Sequence, residues 1–458
     1  MTVGVGVLGA LCLMLPGMAT AQQPDALEQA KTVPPQADAA EDAIDSDTPS
    51  STESGQSPLE ESFAPRTRAE WVRETRRQAW QDTKFDAQIR SYDFARDKYD
   101  GSESEAWALG GLVGLKTGYF RERVAFGATG YTSQKLRGPE DKDGTLLLAP
   151  GQHGYTVLGE LYGEILLNED TRLGIGRRGI DTPYLNRNDT RMTPNTFEAI
   201  TLQGLYGGDG RAEWRVGGGY FDEIKQRNAD EFVSMATAAG APGGVERGVY
   251  VGGGNYKHGD FSIGAIDYYS DDIINIFYSE MKYALPFADG LRLQLALQYS
   301  DQRSTGGNLL RGTDFSANQW GGKAEIAVGS ALFSTAYTSA GGDTGMQAPW
   351  GSYPGYTSVQ LEDFFRDGEE AWMLRAAYNF HLVKGLSAYG LWVNGSDPQD
   401  PGQFAKEEYN FNLQWTPDSG PLKGLMLRLR YGHASQDDPA GSDQDELRLM
   451  IYYDPPSL

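Results

Sequence analysis

Two arginines occupy alternate positions in residues 425–431, at Arg428 and Arg430. In an extended strand such residues share one face and lie roughly 7 Å apart, at ~3.3 Å per residue. A guanidinium binds a carboxylate through two parallel hydrogen bonds. A carboxylate could therefore pass from one arginine to the next, because a series of shallow sites permits movement where one deep site would trap the ion. The alternative is that such basic residues pair with nearby acids, for example Glu325, and stiffen the structure.

The elements that would position these side chains are strands with one apolar face. Residues 291–299 have an apolar residue at every odd position and a polar residue at every even position except Ala296. The same alternation recurs in residues 409–415, 425–431 and 447–453, and each segment ends in an aromatic residue. Aromatic residues at strand ends are expected where membrane strands reach the interface. The pattern predicts an all-β, antiparallel transmembrane β-barrel whose outer face contacts lipid and whose lumen contacts water.

Strand parity then assigns further basic side chains to the lumen. If Leu427 and Leu429 face lipid, the arginines that alternate with them face inward. An arginine that faces lipid at the bilayer midplane costs roughly 2–4 kcal/mol, which favours the inward assignment. The same alternation places basic residues of other segments inside. The predicted lumen ladder comprises Arg428, Arg430, Arg375, Lys323, Arg292 and Arg448.

The N-terminal composition indicates export. Residues 3–18 are apolar and lead to an Ala-Thr-Ala cleavage site before Gln22, so residues 1–21 are predicted to be a signal peptide. Cys12, the single cysteine, lies within it, which excludes thiolate chemistry from the mature chain. Residues 22–65 contain ten acidic residues and one lysine, and are predicted to be a disordered acidic periplasmic linker. A net charge of -23 argues against nucleic-acid binding.

The rest of the chain divides into a short basic segment and a long region of strands. Residues 66–88 are rich in arginine and contain no glycine or proline, which fits either a short basic helix at the barrel mouth or a solvated connector. Residues 89–458 alternate between strands and turns, and about 370 residues at roughly 20 per strand give about 18 strands. A barrel of that size can hold an aqueous channel.

Four stretches resemble the OprD family of outer-membrane porins. They are DTPYLNRNDTRMTPNTFE at 181–198, GDT followed by APWGSYPG within 342–355, GEEAW at 368–372 and GPLKGLMLRLR at 420–430. The stretches lie in the family's order, and the resemblance covers roughly residue 89 to the end. It implies an 18-stranded barrel with inward-folded loops that constrict the lumen. It also implies passive uptake of small solutes, often carboxylates or amino acids, along a basic lumen ladder.

The resemblance places residues 181–195 near the constriction of the lumen. The two arginines of this stretch could supply positive charge there, its tyrosine could line the slit, and its first aspartate could fix the loop. Asp343 could face the basic wall and set a transverse field that orients dipolar solutes. Both aspartates could instead cap local turns. The predicted constriction set comprises Tyr184, Arg187, Arg191, Asp181 and Asp343.

The sequence predicts neither an enzyme nor a metal or cofactor site, because its four histidines show no recognisable catalytic or ligand spacing. The expected function is a porin for passive diffusion of small anionic solutes. The expected partners besides solutes are outer-membrane lipid and lipopolysaccharide and the barrel assembly machinery, with the chain a monomer or a weak trimer. The expected location is the outer membrane of a Gram-negative-type bacterium, with the N-terminal arm in the periplasm. The alternative is a non-conducting barrel that acts as an adhesin or as a periplasmic tether.

Overall fold

The computed structural model describes residues 68–208, 212–288, 291–399 and 402–455. The predicted signal peptide (1–21) and acidic linker (22–65) lie outside these residues. Within the described residues, two α-helices, α1 (Arg68–Thr75) and α2 (Met235–Ala239), and a 3-10 turn (Glu140–Lys142) accompany the strands. The long strands are β1 (Lys84–Asp97), β2 (Glu103–Lys116), β3 (Val124–Arg137), β4 (Tyr155–Asn168), β5 (Thr171–Arg178), β6 (Thr196–Gly207), β7 (Glu213–Lys225), β8 (Val249–His258), β9 (Phe261–Ser270), β10 (Ile274–Ala288), β11 (Leu291–Ser304), β12 (Ser316–Val328), β13 (Ala331–Gly342), β14 (Glu370–Asn379), β15 (Leu386–Ser396), β16 (Lys406–Trp415), β17 (Leu425–Gln436) and β18 (Asp443–Tyr453).

These eighteen strands of the described chain form one closed antiparallel barrel. Each strand pairs with its neighbours in sequence, and β1 pairs with both β2 and β18, which closes the ring. One further strand of two residues, Val233–Ser234, pairs with β7 from within a connecting loop. The predicted fold class and strand number are confirmed.

The strands form where the sequence alternates between apolar and polar residues. In β11, Ala296, Gln298 and Ser300 are buried, whereas Leu295 and Leu297 are exposed on the outer wall. The same alternation holds in β16, β17 and β18, as the sequence predicts. A continuous outer surface of large apolar side chains fits hydrocarbon rather than water.

The two ends of the barrel differ in the length of their connections. The end that holds the start of β1 and the end of β18, here called the terminal end, has short turns such as 169–170 and 259–260. The opposite end, here called the loop end, carries the longest connections. Four of these, here called the inner loops, contribute buried side chains to the barrel interior. The inner loops are residues 138–154, 179–195, 226–248 and 343–369.

The boundary before the barrel differs from the one expected at residue 89. β1 begins at Lys84, because residues 84–88 pair with residues 112–116 of β2. Helix α1 lies within the basic segment 66–88, for which the sequence left a helix and a connector open. No helix among the described residues is long and apolar enough to cross a membrane.

The largest apolar cluster lies inside the barrel, between the inner loops and the wall. Tyr184, Met235 and Trp350 come from three different inner loops, and they belong to one cluster with Tyr268 of β9 and Tyr278 of β10. The inner loops are therefore held by packing against the wall, and they narrow the lumen as folded parts of the barrel.

Replacing Leu374 by arginine should lower the free energy of unfolding by about 2–4 kcal/mol, because this residue lies midway along β14 and faces outward. Leu382, fully exposed in the connection 380–385, offers the matched control, and Leu382→Arg should change the stability by less than about 1 kcal/mol. Denaturant titration of the barrel in lipid vesicles measures both effects. Equal stability of the two variants would contradict the lipid-facing placement of Leu374.

Candidate functional site

Three predicted ladder arginines meet on the inner wall where β17 and β18 pair. Arg430 of β17 lies directly opposite Arg448 of β18, and Arg428 lies two positions further along β17. All three side chains are buried within the barrel, whereas Leu447 and Leu449 of β18 are exposed on the outer wall. The adjacent strands thus bring three guanidinium groups onto one patch of the lumen wall.

Neutral oxygens orient two of these arginines. Arg428 Nε donates a hydrogen bond of 2.6 Å to Asn412 Oδ1, and Arg430 Nη2 donates one of 3.2 Å to Tyr389 OH. The ring of Tyr389 also contacts Arg375 of β14, whose guanidinium carbon lies 4.5 Å from the ring centroid. These three contacts hold the guanidinium groups in place without adding a negative charge.

Two of the predicted ladder residues, Lys323 and Arg448, lie in ion pairs on the wall. Lys323 Nζ of β12 lies 3.0 Å from Glu325 Oε2, and Arg448 Nε donates a hydrogen bond to Glu446. In both pairs a basic residue contacts a nearby acid on the wall. This is the structural role that the sequence left open as the alternative to solute binding. Arg292, near the terminal end of β11, is only partly buried.

Tyr184 fixes inner loop 179–195 to the wall. Its side chain is fully buried, its hydroxyl lies 2.7 Å from Ser300 Oγ of β11, and its backbone N–H donates to Tyr268 OH at 3.2 Å. Its ring makes edge contacts with Tyr268 and with Tyr278 of β10. These contacts indicate that Tyr184 anchors the loop to β9, β10 and β11, whereas the sequence led us to expect that it lines the slit.

A buried ion pair that sequence reasoning missed anchors the same loop on the other side of the barrel. Arg90 of β1 donates two parallel hydrogen bonds to Asp189, of 2.6 Å and 2.7 Å. Both side chains are buried. Because β1 and β10 stand opposite each other in an eighteen-strand ring, the loop reaches across the lumen between Tyr184 and Asp189.

The two predicted constriction arginines have different surroundings. Arg187 pairs within the loop, since Asp181 accepts hydrogen bonds of 3.1 Å from both its backbone N–H and its Nη1. Arg191 Nε donates to the carbonyl oxygen of Thr145 in inner loop 138–154 at 2.8 Å, and its guanidinium carbon lies 5.1 Å from the ring centroid of Phe94. Arg191 therefore carries positive charge to the side of the lumen formed by β1.

Asp343 has the contacts of a turn-capping residue. It is exposed at the loop end, directly after β13. Its Oδ2 accepts hydrogen bonds from the backbone N–H of Ser316 at 3.1 Å and from the Ser316 hydroxyl at 2.8 Å. Of the two roles that the sequence left open, these contacts support the turn cap.

Inner loop 343–369 makes a second crossing of the lumen. Tyr356 OH donates to Glu280 Oε1 of β10 at 2.7 Å, and Gln360 Nε2 donates to Glu446 Oε1 of β18 at 2.9 Å. Glu446 also accepts from the ladder residue Arg448. The second crossing thus ends beside the arginine patch of β17 and β18.

Several inward basic residues were absent from the sequence prediction. Strand parity could have placed Arg90 of β1 in the lumen, but Ser91 and Asp93 interrupt the apolar outer face of this strand and weaken the alternation. The others lie at or near strand ends, where parity has few neighbours to define it. The missed, buried basic residues are Arg90, Lys116, Arg172 and Lys225.

The described residues contain no cluster of three or more histidine, cysteine, aspartate or glutamate side chains that could hold a metal ion. Two histidines make single polar contacts at the barrel ends. His381 Nε2 lies 2.7 Å from Ser330 Oγ, and His433 Nδ1 lies 3.1 Å from Asp445 Oδ1. Neither contact by itself forms a catalytic triad.

Comparison with known proteins gives a family and a fold. The family model described as outer membrane porin, OprD family, matches residues 78–456. The porin-like protein GalP of Pseudomonas putida is 24% identical over 396 residues, which cover 81% of this chain and 92% of that protein. OccK9 (OpdG) of Pseudomonas aeruginosa is similar with a TM-score of 0.73 at 25% identity, covering 82% of this chain and 99% of that chain. OpdK of Pseudomonas aeruginosa, solved with vanillate, has a TM-score of 0.71 at 23% identity, covering 83% and 100%.

Replacing Asp189 by asparagine should lower the free energy of unfolding by about 3–5 kcal/mol, because it leaves the buried Arg90 charge without its carboxylate. The pair Arg177–Glu198 is a matched control, since its 2.8 Å contact is similar but both side chains are exposed by about 40%. Glu198→Gln should cost less than about 1 kcal/mol. Denaturant titration tests both variants, and equal losses would contradict the anchoring role of Asp189.

Proposed function

The chain belongs to the OprD family of outer membrane porins, and on this premise we propose that it is a passive channel for small anionic solutes, such as carboxylates and amino acids. Family and fold point to a channel rather than an enzyme. The observation that carries the anionic preference is the group of inward arginines on β14, β17 and β18, beside which an inner loop crosses the lumen. These arginines are Arg375, Arg428, Arg430 and Arg448.

The unequal ends of the barrel support an orientation. Barrels of this kind carry short turns on the periplasmic side and longer loops outside. We therefore place the terminal end, with the N-terminal arm, in the periplasm and the inner loops toward the cell exterior. The apolar outer wall then contacts outer-membrane lipid. A solute enters at the loop end and leaves at the terminal end.

The arginine patch supplies a series of contacts for a moving carboxylate. Arg428 and Arg430 lie two positions apart on one strand, so an anion can bind the second guanidinium before it leaves the first. Asn412 and Tyr389 already hold these groups in place, which reduces the loss of side-chain entropy when a solute binds. Several sites of moderate affinity permit passage without an energy source.

The loop crossings determine how close a solute comes to these groups. The two inner loops that cross the lumen, 179–195 and 343–369, reach strands at or beside the patch, through Asp189 at β1 and Gln360 at β18. Their anchors are buried ion pairs and hydrogen bonds, which keep the crossings in fixed positions. A small solute that passes them exchanges part of its hydration for contacts with the wall. This exchange favours anions, because the wall presents hydrogen-bond donors.

The relatives support the channel class more than the solute. OpdK was solved with vanillate, an aromatic carboxylate, but at 23% identity that similarity concerns the fold. The proposed preference for carboxylates therefore rests on the charges of this lumen. The identity of the solute depends on the inner loops, which border its path through the lumen.

The double variant Arg428→Gln/Arg430→Gln should weaken block by carboxylates roughly tenfold or more, since each lost charged hydrogen bond removes about 1.5–3 kcal/mol. Single-channel recording under a salt gradient should also show a lower preference for anions. Arg303→Gln is the matched control, because Arg303 is 70% exposed at the loop end and lies outside the patch.

Unchanged block by every carboxylate tested would show that the arginine pair has a structural role only. No conductance from either intact or N-terminally truncated protein, when both are demonstrably folded, would contradict the channel itself. That result would favour a non-conducting barrel that serves as an adhesin or a periplasmic tether.

A further inference from the structure

Helix α1 lies within the terminal-end mouth of the barrel. Trp71 is only 2% exposed, and its Nε1 donates a hydrogen bond of 2.8 Å to the carbonyl oxygen of Glu169, in the turn between β4 and β5. The guanidinium carbon of Arg172, on β5, lies 3.7 Å from the centroid of the Trp71 ring. Arg172 Nη2 also donates to the backbone carbonyl of Trp71 at 3.1 Å. The helix is thus fixed against inward-facing residues of the wall.

The same helix inserts a carboxylate between inward-facing basic residues. Glu74 is buried, forms an ion pair with Lys116 of β2 and lies 3.8 Å from Arg172. Both basic side chains are themselves almost completely buried. Glu164 of β4, 3.2 Å from Arg172, supplies a second negative charge from the wall. The helix therefore shields positive charge that would otherwise face the mouth of the lumen.

The residues after α1 are joined to the barrel by backbone hydrogen bonds. Residues 77–79 pair with residues 118–119, and the N–H of Tyr119 donates to the carbonyl oxygen of Arg77 at 2.8 Å. A Cβ at Gly118 would lie 2.6 Å from the carbonyl carbon of Gln78, so this approach requires glycine. At the start of the helix, Arg68 Nη1 donates to the carbonyl oxygen of Leu205 on β6 at 2.6 Å. Residues 68–79 therefore lie across the mouth along β2 to β6.

We propose that residues 68–79, here called the mouth plug, narrow the periplasmic mouth and withdraw Lys116 and Arg172 from passing anions. The proposal rests on the proposed channel function. An eight-residue helix is about 12 Å long and ~10 Å wide with its side chains, so it obstructs a substantial part of the mouth. The family match begins at residue 78, which places α1 outside the region that the family defines.

The composition of the plug favours obstruction over bracing. A helix this short is marginal in isolation, so contacts with the barrel must hold it. Apart from Trp71, the side chains of α1 contact the barrel through ion pairs and hydrogen bonds, and buried ion pairs stabilise a fold less than apolar packing of similar volume. A brace would be expected to bury an apolar stripe. The plug instead presents its buried acid, Glu74, to the basic residues of the mouth.

Two variants test the proposal by single-channel recording in planar bilayers under a potassium chloride gradient. Deletion of residues 22–75 removes α1 and should raise the conductance of folded barrels. Glu74→Gln keeps the helix but unmasks Lys116 and Arg172, and it should shift the reversal potential toward that of chloride. Deletion of residues 22–65 is the control for truncation, and Arg73→Gln, on the exposed side of α1, is the control for substitution.

The outcomes separate the plug from the channel. Higher conductance after deletion of 22–75, with no change after deletion of 22–65, supports the plug. The plug is also supported if the intact protein and the 22–65 deletion do not conduct but the 22–75 deletion does. If intact protein conducts while the longer deletion and Glu74→Gln leave both conductance and reversal potential unchanged, the plug is refuted and the channel stands. If neither intact nor truncated barrels conduct, although heat-modifiable migration shows that both are folded, the channel is refuted and the plug with it.

Discussion

No water is available in the hydrocarbon core of a membrane to hydrogen-bond exposed backbone groups, so a sheet can cross it only when its edges are closed. The pairing of β1 with β18 meets this constraint, and the other features of the chain depend on it. Once the ring is closed, every strand has one face toward lipid and one toward the lumen. Charged side chains then have only the lumen available to them, which gathers the arginines of distant segments onto one inner surface.

The inward charges serve two purposes that the surroundings of each residue distinguish. Arg90 holds inner loop 179–195 through the carboxylate of Asp189. Arg448 contacts the carboxylate of Glu446, which in turn accepts a hydrogen bond from Gln360 of inner loop 343–369. Arg428 donates a hydrogen bond to the neutral side chain of Asn412, which orients its guanidinium. In the proposed channel, the same residue type would therefore hold the inner loops at some positions and offer positive charge to the pathway at others.

The sequence predicts the wall of this barrel better than its interior. Alternation identifies β11 and β16 to β18 because it is a property of neighbouring residues, and the strand number follows from the length. The start of β1 at Lys84 was missed because the residues before it have the composition of a helix. The contacts of Tyr184 with Ser300 and of Asp189 with Arg90 join residues about a hundred positions apart, so no local pattern encodes them. The sequence therefore predicts which side chains face the lumen, but it does not predict which residues those side chains contact.

At the terminal end, a segment that precedes the barrel also contributes to the charge of the lumen. Inward parity places basic residues there as it does along the ladder, and β4 supplies Glu164 as a counter-charge. A second counter-charge, Glu74, comes from outside the strand pattern, on a helix that also buries Trp71 against Arg172. A side chain on a strand is fixed by the ring that closes the membrane span. A charge on a docked helix is held instead by the contacts of that helix with the wall, so the counter-charge that Glu74 supplies to this mouth does not belong to the ring itself.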